Sequence, residues 1–330
     1  MRAVLCKEYG PPESLVVEEV DEPEAGPGHI VIDVKACAIN FPDVLMIQDL
    51  YQFKPPLPFS PGGEIAGVVS AIGESVDGFT IGQEVFSGVG SGGLAEKVAV
   101  RAASAIPVPR GLSLPQAASV LNAYGTSYHA LKDRADLRPG ETLLVLGAAG
   151  GVGLAAVELG AMMGATVIAA ASTDKKLAVC LDHGASLTIN YETEDLKLRI
   201  RELTDGRGAD VVYDPVGGPY AEPALRSTAW EGRFLVIGFT AGIPKLPLNL
   251  PLLKACSVVG VFYGAYAARE PERNRRNLEE LVEFIEAGKI KPHVSSTYPI
   301  DRAGEAIREL ADRRAEGKVV VLMGGAERGT

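Results

Sequence analysis

From Glu141 onward, short apolar runs alternate with helical patterns, which is the signature of βαβ units feeding a parallel sheet. Leu143–Leu146 reads as a strand, and it turns at Gly147, Gly150, Gly151 and Gly153 into a helix that continues Leu154-Ala155-Ala156-Val157-Glu158-Leu159. Thr166–Ala170 is a second strand at the expected distance, and Ser186–Ile189, Ala209–Tyr213 and Arg233–Ile237 are further strands. His183-Gly184-Ala185 reads as a glycine helix stop. The chain before this region behaves differently. Residues 1 to about 118 carry short apolar runs such as Ile30–Val34 and Ile65–Val69 between Gly/Pro turns, a pattern that suits a small barrel or sandwich. The pattern turns helical between Leu114 and Leu131. Ser257–Phe262 is a last strand, apolar on both faces. Leu278, Leu281, Val282 and Ile285 follow i, i+3, i+4, i+7 and mark an amphipathic helix. Ser295–Ile300 and Lys318–Met323 flank one more helix in the tail, which is expected to return to the first domain.

The predicted fold class is therefore α/β: a β-rich domain (residues 1–119 and 268–330) plus a doubly wound parallel-sheet domain (residues 120–267). Two domains also suit a chain of 330 residues.

The glycine turn carries the first chemistry. Ala148-Ala149-Gly150-Gly151-Val152-Gly153 has the form A-x-G-x-x-G between a strand and a helix. In such a unit one glycine lets backbone approach a pyrophosphate, and another lets the helix pack on its strand. The helix N-terminus offers unpaired N–H groups and partial positive charge. A site that prefers NAD places an acid at the end of the second strand to bind the ribose 2′-OH. Here that strand ends Ala169-Ala170-Ala171-Ser172. A small residue leaves room for a 2′-phosphate, Ser172 can donate a hydrogen bond and Lys176 can supply charge. The cofactor expected is NADPH. Lys175 competes with Lys176 for that role, and Ser172-Thr173-Asp174 also reads as a helix cap.

Composition narrows the partners. The formal net charge of −10 argues against general binding to nucleic acid or anionic membrane. Arg273, Arg275 and Arg276 form one basic cluster, read as a solvated helix start or as a contact for a phosphate-bearing substrate. Met1–Glu8 has no apolar h-region, so no secretory signal is expected. The apolar stretch at residues 142–173 reads as sheet and helix, not as a membrane span. Cys6, Cys37, Cys180 and Cys256 are scattered, which suits free thiols in a reducing cytoplasm. If Ser257–Phe262 is a sheet edge, pairing with a second copy would protect it, so a homodimer is expected.

Ile39–Asp43, Pro61–Gly67, Gly82–Val85, Gly125-Thr126, the glycine turn, Asn190-Tyr191, Asp214–Gly218, Ile237–Phe239 and Gly317–Val320 follow one another along almost the full length of the chain. In these segments the chain resembles the zinc-free quinone oxidoreductases of the medium-chain dehydrogenase/reductase superfamily. Their shared order carries the resemblance. It implies a GroES-like catalytic domain and a Rossmann domain with the active site in the cleft between them. It also implies cofactor contacts from Asn40, Thr126, Ala149, Gly150, Gly151, Val152, Gly153, Lys176, Tyr191, Val216, Phe239, Thr240, Phe262, Tyr263, Gly264 and Lys318. Lys176 and Tyr191 match 2′-phosphate positions, and Thr126, Phe239, Thr240, Phe262, Tyr263, Gly264 and Lys318 match the nicotinamide side.

The resemblance also bears on metal. Zinc-dependent relatives carry a ligand cysteine where this chain has Asn40, and a histidine where it has Gly63. A catalytic zinc needs about three protein ligands, and the sequence does not supply them. Cys37 lies three residues from the ligand position and reads as a buried apolar residue. No metal is expected. Tyr128 and Lys132 fit the Y-x-x-x-K of short-chain dehydrogenases, but Tyr128 precedes the glycine turn, so the pair reads as one helix's side chains.

Without a Lewis acid, an electron-poor acceptor suits hydride transfer better than an alcohol does. The expected reaction is hydride transfer from NADPH to a small-molecule quinone or the C=C of an activated carbonyl compound. Asn40 and Tyr51 are the catalytic candidates. Asn40 would hydrogen-bond substrate or nicotinamide ribose, and Tyr51 would donate to a developing oxyanion, though it reads equally as a loop tyrosine. An acryloyl-CoA-type enoyl-thioester reductase, with the arginine cluster on CoA phosphates, is an alternative. So is an NADPH-binding protein without significant turnover.

Overall fold

The computed structural model describes residues 1–324. The chain divides into two compact units, one of residues 1–122 with the segment from Lys291 onward, the other Ala123–Ile290.

The first unit carries β1 (Arg2–Leu5), β2 (Val16–Glu19), β3 (His29–Ile39), β4 (Glu64–Ile72), β5 (Glu84–Gly88), β6 (Lys97–Arg101) and β7 (Ala105–Pro107). The second carries β8 (Thr142–Leu146), β9 (Thr166–Ala171), β10 (Leu187–Asn190), β11 (Ala209–Asp214), β12 (Thr228–Val236) and β13 (Ser257–Gly260). The chain then returns to the first unit with β14 (Val294–Pro299) and β15 (Lys318–Leu322).

In the first unit the order is β14-β15-β3-β4-β5-β7, with β6 also on β3. Strand β3 is the spine, antiparallel to β15, β4 and β6. Its side chains Ile30, Ile32, Val34, Cys37 and Ile39 enter one core with Val44, Ile47, Ile65, Leu94, Ile307 and Val319. An eleven-residue strand buried over most of its length is rigid, so the residue it delivers at its end, Asn40, is held in place. Asn40 precedes the short helix Phe41–Met46, and the Asp43 carboxylate accepts the Asn40 N–H at 2.8 Å.

The second unit holds a parallel sheet in the order β10-β9-β8-β11-β12-β13. Helices Gly151–Met162, Asp174–Asp182, Leu196–Leu203, Ala221–Arg226 and Asn249–Lys254 make the crossovers. The order reverses between β8 and β11, and ligands of open α/β sheets bind outside such a switch point. The apolar runs seen in the sequence are this sheet's buried interior: Leu143–Leu146 and Val167–Ala170 are fully enclosed.

Two features differ from the expected layout. Helix Pro271–Glu286 lies in the second unit rather than the first. Its Phe284 meets Tyr128 edge-on at 5.8 Å, and Arg273 pairs with the buried Asp133 at 2.7 Å. Neither tie is legible from the helix's own periodicity. The last strand is also shorter than its apolar run: Val261 and Phe262 lie beyond β13, and Phe262 leads into the helix Tyr263–Arg269. Strand β13 does form the sheet edge, with Val258 43% exposed. Among the described residues no helix is long and apolar enough to cross a membrane.

Candidate active site

The predicted cofactor residues of the second unit collect along one edge of its sheet. Ala149–Gly153 follow β8, Ser172 follows β9, Tyr191 follows β10, Val216 follows β11, Phe239 and Thr240 follow β12, and Phe262–Gly264 follow β13. All six strands run parallel, so these are six carboxyl ends side by side.

Helix Gly151–Met162 begins at Gly150, which has no side chain to cap the first turn. The first N–H groups of a helix have no intrahelical acceptor, so they stand ready for an anion. Gly153 sits where a Cβ would lie 2.3 Å from the Gly147 carbonyl oxygen, so only glycine lets the helix start this close to its turn. Val216 packs against Gly147. The Asp214 carboxylate accepts N–H bonds from Val216 and Gly217, both at 2.8 Å, so Asp214 is the turn's cap. This chain's turn thus fits a dinucleotide pyrophosphate, in backbone approach and in dipole.

Lys176 lies one turn into the helix after β9, and its Nζ donates to Ser172 Oγ at 3.3 Å. Thr173 is the cap of that helix, its Oγ1 accepting the Lys176 N–H. Asp174 is tied to Asn190 Nδ2 at 2.7 Å. Tyr191 meets Tyr220 at 4.5 Å with the rings tilted by 47°, and both line a cavity of about 520 Å³ with Lys197, Arg226, Lys245, Asp195 and Glu222. On the nicotinamide-side positions, Tyr263 lies so close to Gly125 that a Cβ there would sit 2.4 Å from the phenol oxygen, and Thr126 is the next residue. Phe239 and Phe262 are exposed.

In the first unit, Asn40, Glu64 and Lys318 meet in one buried cluster, each under 10% exposed. Lys318 Nζ donates to Asn40 Oδ1 at 2.5 Å and to Glu64 Oε1 at 2.7 Å. Asn40 Nδ2 donates to Glu64 Oε1 at 3.2 Å and to the Ala38 carbonyl at 3.3 Å. Glu64 Oε2 accepts the Asn122 N–H at 2.7 Å. Below them Asp43 accepts from Asn40 and Gly62, and burial pushes its carboxyl up to about 6. Tyr51 packs partly against this unit's core, and burial, then the Asp43 charge, raises its phenol above the usual range.

Cys37 is fully enclosed between Gly62 and Gly93, and burial holds its thiol well above the usual range, the neutral form that does not ligate metal. The nearest carboxylate, Glu64, already pairs with an ammonium. A second cation there would face that ammonium at close range. Among the described residues no cluster of three or more His, Cys, Asp or Glu is placed to hold a metal ion. These residues do not fit zinc.

Two sequence motifs have structural roles. Tyr128 Oη and Lys132 Nζ both donate to Glu280, so the Y-x-x-x-K pair is a tie between helices. Arg273 is spent on Asp133, while Arg275 and Arg276 are exposed. Sequence reasoning missed Glu64 as the partner of Asn40 and Lys318; its place in Pro61–Gly67 was the one available signal.

Comparison with known proteins agrees with this architecture. The alcohol dehydrogenase GroES-like domain model matches residues 26–110, and the zinc-binding dehydrogenase model matches residues 151–286. A quinone oxidoreductase-like protein 2 homolog from Nematostella vectensis is 39% identical over 97% of this chain and 88% of its own length. The chain belongs to the quinone oxidoreductase family of the medium-chain dehydrogenase/reductase superfamily. The Escherichia coli quinone oxidoreductase, solved in complex with NADPH, is 30% identical with a TM-score of 0.91, over 98% of this chain and all of that one. The enoyl reductase CurK is 27% identical with a TM-score of 0.89, over 98% and 99%. This member of the family is accordingly an oxidoreductase by descent, with GroES-like and Rossmann-type units.

Proposed function

We propose that this protein is a zinc-independent, NADPH-dependent reductase of a quinone or a conjugated carbonyl compound. The observation that carries the reading is the end of β9, where Ser172 and Lys176 stand together and an acid is absent. A 2′-phosphate brings about two negative charges and strong acceptors, which this pair satisfies and an acid would repel. The NADPH complex of the Escherichia coli relative supports the same cofactor.

When bound, the reduced nicotinamide supplies the hydride. The chain's residues supply the rest. The first turn of helix Gly151–Met162 holds the pyrophosphate, with Val216 against the turn. Thr126, Phe239, Thr240, Phe262, Tyr263, Gly264 and Lys318 are assigned to the nicotinamide side by the family pattern. Tyr51 is assigned the hydrogen bond to the acceptor oxygen, since burial keeps its phenol protonated at neutral pH. Leu50, Phe53 and Leu57, exposed on the same loop, suit an apolar acceptor. Zinc independence is read from Asn40 and Gly63, which stand where zinc-dependent relatives carry ligands, and from Lys318, which supplies the local positive charge. A homodimer through β13 completes the reading, the edge strand being unprotected in a single chain.

The test is NADPH and NADH oxidation at 340 nm against quinones, enones and acryloyl-CoA. NADPH-dependent turnover of quinones or enones is expected. A second reading, an enoyl-thioester reductase, draws on the likeness to an enoyl reductase and on the exposed Arg275 and Arg276. Activity with the thioester alone would establish it instead. Tight NADPH binding without turnover of any acceptor would show a binding protein.

A further inference from the structure

The helix Leu121–Tyr128 does not end at Tyr128 but widens. The Ala135 N–H bonds the carbonyl of Ala130, five residues back, and His129–Arg134 form a π-helical turn. Such turns are rare and recur at functional sites. This one grips a segment at the edge of the parallel sheet. Arg134 Nε donates at 3.2 Å to the carbonyl of Gly260, the last residue of β13. The His129 ring stacks on Tyr266 at 3.7 Å, with the two planes 13° apart. One turn earlier in the helix, Gly125 leaves the space that Tyr263 fills. The stretch from Gly260 to Tyr266 is thus held at both ends and in the middle.

Little else holds it. Among the described residues β13 pairs with β12 alone, and helix Tyr263–Arg269 contains no buried residue. A helix this short has marginal stability of its own. Behind the stack lies Asp133, its side chain 4% exposed. Asp133 accepts from His129 Nδ1 at 2.8 Å, from Asn277 Nδ2 at 2.8 Å and from Arg273 at 2.7 Å. Asn277 Nδ2 also donates to Tyr266 Oη at 3.1 Å. Burial works against the Asp133 charge, yet these donors hold its carboxyl below the usual range. Burial also lowers the His129 imidazole. The ring is therefore neutral at neutral pH, with its hydrogen on Nδ1 facing the carboxylate. An apolar contact would tether a helix without burying a charge. What a directional cluster adds is one orientation of the ring, and through it one position of Tyr266.

We propose that the His129–Arg134 turn is a latch that sets the position of Phe262, Tyr263 and Gly264 for the nicotinamide half of the dinucleotide, with His129 and Asp133 as positioning residues acting through Tyr266. The inference rests on the dinucleotide reading above and deepens it. Phe262, Tyr263 and Gly264 follow the carboxyl end of β13, where ligands of open α/β sheets gather, but they lie beyond the last paired residue of the strand. The sheet brings them to the place, and the latch decides their conformation.

The test compares Tyr266→Ala and Tyr266→Phe with the unaltered full chain. Alanine removes the stacked ring and is the best helix former, so any loosening is not an effect of propensity. Phenylalanine keeps the ring. Both variants are expected to fold, since Tyr266 is only half-buried, and thermal melting checks this. In Tyr266→Ala, hydrogen exchange of the amides of helix Tyr263–Arg269 should speed up about tenfold. NADPH, followed by calorimetric titration, should bind about threefold to tenfold more weakly, because only the latched fraction receives it. The probe 2′,5′-ADP, which lacks the nicotinamide half, should bind as before. Tyr266→Phe should stay within about twofold of the unaltered protein in both readouts. Unchanged exchange in a folded Tyr266→Ala protein would overturn the latch. Faster exchange with unchanged NADPH affinity would overturn its positioning role, as would equal losses for both probes. If the unaltered protein binds neither probe, the dinucleotide reading fails and the positioning role with it, while the exchange rates, which need no ligand, still decide the latch.

Discussion

Gly153→Ala tests the packing behind the proposed phosphate cradle. The added Cβ would stand 2.3 Å from the Gly147 carbonyl oxygen, 2.9 Å from Ala148 Cα and 3.0 Å from the Gly147 carbonyl carbon. All three are backbone atoms in the turn after β8, a strand held between β9 and β11. No side chain can give way, so the helix start must move by about 1 Å to restore van der Waals distance. Overpacking of this kind costs about 1–3 kcal/mol, and the better helix propensity of alanine returns up to about 1 kcal/mol. A net loss of about 1–2 kcal/mol should lower the Tm of the second unit, Ala123–Ile290, by about 2–8 °C. The same shift spoils the aim of the first-turn N–H groups. Losing one charge-assisted bond, worth about 1.5–3 kcal/mol, should weaken NADPH binding at least about tenfold. The assays are a thermal melt and a calorimetric titration with NADPH. Gly26→Ala is the control, because a Cβ there meets nothing within 4 Å. A Gly153→Ala protein with the melting point and NADPH affinity of the unaltered chain would refute the reasoning.

Lys176→Ala should weaken NADPH binding about tenfold, as loss of a partly exposed charged contact to the 2′-phosphate, and leave NADH binding unchanged; equal losses would sink the assignment. Asp43 is fully buried with its carboxyl raised from 3.8 to about 6. Between those values the folded state holds a proton that the unfolded state has released, so stability falls as pH rises from about 4 to 6, by up to about 3 kcal/mol. Asp43→Asn should remove that slope and cost about 1–3 kcal/mol for one lost N–H acceptor, read from denaturant melts across pH; a slope that persists would show that another group causes it. Val258→Lys on β13 should shift a dimer toward monomer in sedimentation, by burying a charge at the edge; a monomer before substitution would remove the premise.

The local order of the chain was legible because it is written in short-range terms. Strands β8 and β9 are buried on both faces, so their apolar runs are continuous, and the glycine turn between strand and helix needs only neighbours to be recognised. The Ala171-Ser172 end of β9, with no acid at that position, is likewise a local fact. What the sequence alone determined was therefore the order of elements, the glycine turn between strand and helix, and the residue types at Asn40 and Gly63. Tertiary structure decided which distant side chains meet. Lys318 is 278 residues from Asn40, and no periodicity or spacing relates them; antiparallel pairing of β15 with β3 brings Lys318 beside Asn40 at the strand ends. The same holds for helix Pro271–Glu286, whose apolar stripe shows that it packs but not on what, and for Arg273, which reads as a free charge until Asp133 stands 2.7 Å away. Hydrogen-bond polarity is the last thing to be fixed: a lone asparagine can donate or accept, and only Lys318 and Glu64, arriving from opposite ends of the chain, decide which.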